Sequence, residues 1–384
     1  MWRPVRVTLA LFAPVLSVAV AGCSQPVRVG VVLPETGAAA VYGASIKSGV
    51  RLAFDAVIAN GEVPGGLEVS YRDSGSDPTR AASAASALFE DGAVLVIGGA
   101  TSSEAKAMVA VSGSAGRVLL SPSASAPDLA RHGGVFFRVY PSDEIEGAAA
   151  ADFFISDRRA RRVFVLQEDN DYTRGLLPVF VSELQAHGGW IVASVEIGGQ
   201  GLEAQIRQTL ARHNVDGVYV CGYGDAIVAA VRALRNLGYR GTICTTSAVN
   251  AAPLMQRWAT VLDEVCFPLV SFDLSSEREP VASFVRRYHE VYNLAPDVYA
   301  AHGYDAVLAT LAALRGLRQR TGSTIREELL GLRGVPGVFG PLEFDGDGNI
   351  RRSLAMHTVR GGKVSVVEPA RTNDQAREKA QANP

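Results

Sequence analysis

Apolar and polar positions along the chain switch between two periods. Val27 to Leu33 is a continuous, largely β-branched run that stops at Pro34, as a strand buried on both faces would. Ile46, Val50, Leu52, Ala53, Val57 and Ile58 then recur at near-helical spacing until Asn60-Gly61 ends the pattern. Leu67 to Asp73 alternates like a strand, and 78–90 is Ala-rich and helical. Ala93 to Gly98 is another buried strand, Thr101 to Val111 returns to helix, and Val118 to Pro122 is a further strand. The rhythm restarts after residue 140. Arg162 to Leu166, Trp190 to Ile197, Gly217 to Cys221, Thr242 to Thr245 and Glu264 to Phe267 read as strands. Between them Arg174 to His187, Glu203 to His213 and Asp225 to Leu237 read as helices. Residues 279–293 and 303–318 are further helices, and Phe339 to Phe344 and Ala355 to Val359 read as closing strands. Strands alternating with helices imply parallel sheets covered on both faces. The chain does this twice, which predicts an α/β fold with two doubly wound, parallel-sheet halves of ordinary domain size.

The two ends do not share these periods. Residues 1–22 carry only Arg3 and Arg6 as charges, followed by an apolar run to Gly22, the pattern of an export signal. The competing reading is a transmembrane anchor, for which the uncharged stretch is barely long enough. Val20-Ala21-Gly22-Cys23 resembles a bacterial lipobox, so Cys23 is expected to be lipidated and 23–26 to form a tether. The expected location is exported, periplasmic or at the cell surface, anchored by lipid. Residues 371–384 are polar without an apolar period and read as a disordered tail.

Composition narrows the function. The chain has 384 residues, 39 acidic and 37 basic side chains, and a net charge of −2, which argues against a nucleic-acid partner. Four Cys exclude a disulfide-stapled miniprotein. No GxGxxG follows the first strand, and there is no phosphate loop, HExxH, CxxC or GxSxG. The six His, at 132, 187, 213, 289, 302 and 357, lack metal-ligand spacing, so neither metal nor cofactor is expected. Asp345-x-Asp347-x-Asn349 imitates the start of a calcium loop, but Ile350 and Met356 stand where Gly and Glu are needed, and a β-turn is the better reading.

What remains is a pair of hydroxyl clusters at strand ends. Gly98-Gly99-Ala100-Thr101-Ser102-Ser103 follows one strand and opens a helix, and Ser121-Pro122-Ser123-Ala124-Ser125 follows the next. Ligands of open parallel sheets bind beyond the carboxyl ends of strands, and a helix N-terminus flanked by hydroxyls suits a carboxylate. Ordinary N-capping is the alternative for either cluster alone.

At these residues the chain resembles the type I periplasmic binding proteins, in particular the leucine/isoleucine/valine-binding family of ABC importers. The matching stretches include VRVGVVLPETGAAAVYGASIKSGVRLAFD, DSGSDPTRAASAASAL, VLVIGGATSSEAKA, LLSPSASAPDL, FFRVYPSDEIEG and VFVLQEDNDYTRGLLPVF, and the similarity covers nearly all of 27–365. The resemblance implies two lobes joined by three crossovers near Arg138–Pro141, Val270–Asp273 and Val338–Pro341. Lobe one would be 27–139 plus 273–337, and lobe two 140–272 plus 338–370. It also implies site residues. Ser102 matches the serine that binds the ligand carboxylate, Ser123 the position offering backbone groups, and Ser125 the hydroxyl touching both carboxylate and amino group. Tyr42, Tyr172 and Tyr223 match pocket tyrosines, although each could be an ordinary packing aromatic.

Two features depart from the family. Some relatives carry a lobe-one disulfide, and Ser76 and Thr101 stand at its positions. Relatives that bind α-amino acids place a carboxylate near the end of the 242–245 strand, where this chain has Thr246 and Ser247. Either the ligand lacks a free ammonium or another acid replaces the missing one, with Asp225 and Asp171 the candidates by sequence; solvated loop acids are the competing reading. A pocket tolerant of amides and simple carboxylates would follow. Cys244 and Cys266 lie in consecutive strands of an exported protein, where they form either a disulfide or two buried thiols. The expected function is a monomeric, lipid-anchored solute-binding protein that delivers a small carboxylated ligand to an ABC permease. The alternatives are a ligand-sensing lipoprotein for a membrane receptor and a ligand-free regulator of cell-wall enzymes. An enzyme is not expected, because no nucleophile, base pair or metal set is present.

Overall fold

Ten short strands pair side by side in parallel, each only with members of its own half of the chain, so two separate sheets form. The computed structural model describes residues 26–367 apart from 62, 64, 133, 271, 272 and 318. The signal-like segment 1–22, Cys23 and the 371–384 tail lie outside the described residues. The first half runs β1 (Val27–Leu33), α1 (Ala40–Asn60), β2 (Leu67–Asp73), α2 (Pro78–Glu90), β3 (Leu95–Gly98), α3 (Ser102–Ala115), β4 (Val118–Ser121) and β5 (Phe136–Arg138). Its strands form one parallel sheet in the order β2-β1-β3-β4-β5. The second half runs α4 (Asp143–Asp152), β6 (Arg162–Gln167), α5 (Asp171–Ala186), β7 (Trp190–Glu196), α6 (Leu202–Arg212), β8 (Gly217–Cys221), α7 (Gly224–Asn236), β9 (Thr242–Thr245), α8 (Ala252–Trp258) and β10 (Cys266–Leu269). The chain continues through α9 (Val281–Tyr292), α10 (Val298–Leu314), α11 (Gly322–Gly331), a two-residue hairpin of β11 (Pro336–Gly337) and β12 (Gly340–Pro341), and then β13 (Ala355–Arg360) and β14 (Lys363–Val366). The second sheet has the order β14-β13-β10-β9-β8-β6-β7, parallel except for β13 and β14 at one edge. Each sheet with its helices is a lobe.

Both sheets reverse winding direction at one point: between β1 and β3 in lobe one, and between β6 and β8 in lobe two. The crevice at such a point, outside the carboxyl ends of the strands, is where open α/β sheets bind ligands. The segments leaving those strands carry Tyr42, Thr101 and Ser102 on one side and Tyr172 and Tyr223 on the other.

Helix boundaries follow the local chemistry. Gly61 ends α1 in the left-handed region at φ 64°, where a side chain would be strained. Asp77 caps α2 by accepting the Arg80 N–H, with Pro78 at its first position. The Phe339 to Phe344 strand expected from sequence is reduced to β12, in which Gly340 and Pro341 pair with Gly337 and Pro336. The 345–349 segment is a turn: Asp345 Oδ1 accepts the N–H groups of Asp347 and Asn349 at 3.0 and 2.9 Å. Among the described residues no cluster of His, Cys, Asp and Glu could hold a metal ion.

The chain passes between the lobes after β5, after β10 and between α11 and β13. Helix α10, returning after the second passage, lies against α1 so closely that a methyl group on Gly49 would overlap the carbonyl oxygen of Ala300. The first and third passages meet on α10. His302 stacks on Phe339 at 4.1 Å and against Tyr140 at 4.7 Å. One turn on, Asp305 Oδ1 accepts the Val338 N–H at 2.7 Å, while Arg278 donates to the Val338 carbonyl at 2.7 Å and Arg352 to that of Pro341 at 2.9 Å. Burial pushes Asp305 from an ordinary 3.8 up to about 7 and the His302 imidazole well below its usual range.

Two outcomes follow for stability. Gly49→Ala must push α10 off α1 and should cost about 1–3 kcal/mol in urea unfolding; an unchanged midpoint would contradict the close packing. A raised carboxyl pKa means that the folded state holds more protons than the unfolded state between pH 3.8 and about 7. Stability attributable to Asp305 is therefore present at low pH and lost as pH rises through that window. Asp305→Asn keeps an oxygen for Val338 and should remove this slope, gaining up to about 4 kcal/mol over the native chain at pH 8. Parallel pH–stability curves for the two proteins would refute it.

Candidate functional site

The lobe-one wall of the crevice is a pinned helix start. Thr101 caps α3 in a capping box with Glu104: its hydroxyl accepts the Glu104 N–H at 3.2 Å, and the Glu104 carboxylate accepts the Thr101 N–H at 3.0 Å. Ser102 follows, buried, its Oγ accepting the Ala126 N–H at 3.2 Å. The next loop is tied to this one: Ser121 donates to the Gly99 carbonyl at 2.9 Å and Ser123 to that of Ala100 at 2.7 Å. Ser125 offers its carbonyl to the Asp143 N–H at 2.9 Å, and its hydroxyl faces the Asp143 carboxylate.

The lobe-two wall is built on α4, a helix whose Ala-rich, acid-rich sequence shows no apolar period. Ser142 caps it, and Asp143, Glu144 and Glu146 occupy its first turn, where the helix dipole favours carboxylates. Asp143 and Glu146, three apart, share the buried face. Glu146 is fully enclosed, yet among the described residues no Lys or Arg pairs with it. Its Oε1 accepts the Ser247 N–H at 2.8 Å and the Tyr172 hydroxyl at 3.1 Å, and its Oε2 accepts the Ser247 hydroxyl at 2.6 Å. Tyr140 donates in turn to Ser247 Oγ at 2.9 Å. Burial raises the Glu146 pKa, and the bonds from Ser247 and Tyr172 oppose that rise. Asp143 is pushed well above the carboxylate range by burial and then by the neighbouring Glu146 charge. The loops after β6, β8 and β9 are cross-tied: Glu168 accepts the Tyr223 N–H at 2.6 Å, and Thr246 donates to the Gly222 carbonyl at 2.9 Å.

Tyrosines close the space between the walls. Tyr42 of lobe one donates to the Ala248 carbonyl and accepts the Gly224 N–H, both at 2.8 Å and both across the crevice. Tyr172 and Tyr223 stack with centroids 4.6 Å apart. The Tyr223 hydroxyl faces Ser102 at the start of α3. Tyr299 of α10 meets Tyr42 edge-on at 4.9 Å. The enclosed cavity is about 20 Å³, the size of a single water site. A larger groove of about 620 Å³ lies outside the crevice, between 295–298 and β14, and touches none of these residues.

Of the residues singled out from sequence, Tyr42, Ser123, Ser125, Tyr172, Tyr223 and Ser247 line this cavity, and Ser102 lies behind Tyr223. The two candidate acids do not reach it. Asp225 is exposed on the first turn of α7, and Asp171 is drawn into ion pairs with Lys106 at 3.5 Å and Arg174 at 3.6 Å. The carboxylates at the site are Glu146 and Asp143, from a stretch matched to the family but given no role by it. Thr101 of the first hydroxyl cluster also lines the cavity, as do Tyr140 and Tyr299, which the sequence did not mark. The Cys244–Cys266 bridge is not formed: the residues face each other on β9 and β10, but both thiols are free, as is that of Cys221. Opposed side chains on neighbouring parallel strands stand about 4.8 Å apart without converging, wider than the roughly 3.8 Å Cβ separation of a disulfide. Cys23 lies outside the described residues.

Residues 26–363 match the family described as periplasmic binding protein. The Leu/Ile/Val-binding protein BraC3 of Rhizobium johnstonii is 23% identical over 352 residues, spanning 89% of this chain and 94% of its own. Among solved structures, the leucine binding protein LivK of Thermotoga maritima superposes with a TM-score of 0.83 at 25% identity, covering 91% of this chain and 99% of that one. The branched-chain amino acid transporter substrate binding protein LivJ of Streptococcus pneumoniae, solved with isoleucine, gives 0.81 at 26% identity, covering 90% and 100%. With its two switch-point crevices facing each other and its match running from the first strand almost to the last, the chain belongs to the periplasmic binding protein family, and it is a binding protein rather than an enzyme.

Proposed function

We propose that this protein captures a small carboxylate-bearing ligand between its lobes and delivers it to an ABC importer. On this reading it acts outside the cytoplasm as a monomer, anchored through a lipidated Cys23. The observation that carries the reading is the start of α3, whose N–H and Ser102 hydroxyl face Tyr223 of the other lobe inside an enclosed crevice. Those groups are donors suited to a carboxylate, and the relatives named above are leucine- or branched-chain-binding proteins.

Closure has an identifiable lock. Opening the lobes breaks the two hydrogen bonds of Tyr42 and the Lys106–Asp171 pair. A ligand that touches both walls binds the closed form better than the open one and shifts the population toward it. A branched-chain amino acid exceeds a cavity of about 20 Å³, so binding requires the Tyr223 hydroxyl to leave Ser102 and the ligand carboxylate to take its place. That small volume also favours a second reading, a ligand-free regulator of the same fold, in which the tyrosines fill the crevice permanently.

Thermal-shift and calorimetric titration of the exported chain with branched-chain amino acids, their amides and their des-amino acids separates the two. Binding should raise stability by about 2.7 kcal/mol at a hundredfold excess over Kd. Ser102→Ala should weaken a carboxylated ligand by about tenfold or more, since bonds to a charged group contribute roughly 1.5–3 kcal/mol each. No shift with any carboxylate at millimolar concentration would leave the ligand-free reading standing and end this one.

A further inference from the structure

The hydroxyl protons of the lobe-two wall can be traced one by one. Tyr140 donates to Ser247 Oγ, Ser247 donates to Glu146 Oε2, and Tyr172 donates to Glu146 Oε1. A hydroxyl has one proton, so each of these is committed. Ionised Glu146 can only accept, and it thereby fixes the direction of the whole chain of bonds. Tyr140, Ser247 and Tyr172 all line the cavity. What they have left to offer it is lone pairs, with a negative charge directly behind them.

Across the cavity the polarity is the opposite. Ser102 Oγ already accepts from Ala126, so its proton is left to point toward the Tyr223 hydroxyl, beside the N–H groups at the start of α3. One wall therefore presents donors and the other acceptors backed by charge. An amide or alcohol can satisfy an acceptor, but only a protonated amine also answers the buried charge. Asp143, on the same helix face, is held toward its neutral form by burial and the Glu146 charge, so the negative charge of this wall rests on Glu146. The cation nearest Asp143, Arg138, spends its hydrogen bonds on Asn349 and the Ala126 carbonyl.

We infer that Glu146 is the positioning residue for a ligand ammonium group, setting Tyr172 and Ser247 as its acceptors, and that the ligands are amino acids with a free amine rather than amides or simple carboxylates. The inference rests on the proposed carboxylate capture and names its ligand class. The acid missing after β9 is supplied from α4, and Ser247 at that position holds it in place. The selectivity for amines over simple carboxylates is thus kept, by a different residue.

The test is a ratio of affinities. Leucine, leucinamide and 4-methylpentanoate are titrated by calorimetry into the full exported chain, into Glu146→Gln, and into Glu146→Gln combined with Ser247→Glu. Unliganded melting curves serve as the folding control. The native chain should prefer leucine to 4-methylpentanoate by at least about a hundredfold, the combined effect of several charge-assisted contacts. Glu146→Gln donates where Glu accepts, so it should reverse at least one hydroxyl and cut that preference by about tenfold or more. The double variant, which returns an acid at position 247, should restore part of it. If Glu146→Gln does not fold, Tyr172→Phe takes its place, with the same fall in preference expected from the loss of one acceptor. A native chain that binds 4-methylpentanoate as well as leucine, or variants that weaken both ligands equally, would overturn the inference while leaving carboxylate capture intact. Failure of every ligand would remove both.

Discussion

A carboxylate sealed inside a protein with no cation beside it needs its lone pairs answered, and much of the crevice is arranged around meeting that need for Glu146. Its partners come from two places distant in sequence, Tyr172 at the start of α5 and Ser247 after β9, and Ser247 is itself bonded by Tyr140 in the first inter-lobe passage. Removing any of them would leave a buried charge short of a donor, a cost of roughly 1–3 kcal/mol or more. The same bonds orient the hydroxyls that face the cavity. Structure and recognition therefore draw on one network.

The topology brings that network opposite its complement. Each sheet opens a crevice where its winding reverses, and the two crevices face each other across the passages. The passages are themselves tied to α10, through His302 between Tyr140 and Phe339 and through Asp305 on the Val338 N–H. Tyr140 thus belongs to both the hinge region and the site. A movement of the lobes about these passages would be felt at Ser247 and Glu146, which gives closure and ligand recognition a shared component.

The long, strongly periodic elements were legible in the sequence. Val27–Leu33, Pro78–Glu90 and Gly217–Cys221 follow from burial and capping chemistry alone. Helix α4 was not, because Ala and acidic residues at 143–152 show no apolar stripe, and β5 is only three residues long. The start of α10 at Val298 was read five residues late, which hid Tyr299. For the site, Ser102 and Ser125 were visible as hydroxyls at strand ends, and the three tyrosines through the family resemblance. Glu146 was hidden because 101 positions separate it from Ser247, and no local pattern marks an acid as buried. The signal that could have found it is charge balance: a chain lacking the acid after β9 needs one elsewhere, and the DEIE run at the head of a helix holds the nearest acids to the first passage. Cys244 and Cys266 show the converse, adjacency read correctly from strand order but with side chains that do not converge.

The central claim is that the crevice has a donor pole at α3 and an acceptor pole at Glu146. The most direct test is a crystal structure of the chain with bound leucine. The account predicts the carboxylate at Ser102, where the Tyr223 hydroxyl now sits, and the amine nitrogen within about 3 Å of the Tyr172 or Ser247 oxygens. An amine turned toward α3, or leucine bound outside the crevice, would contradict it.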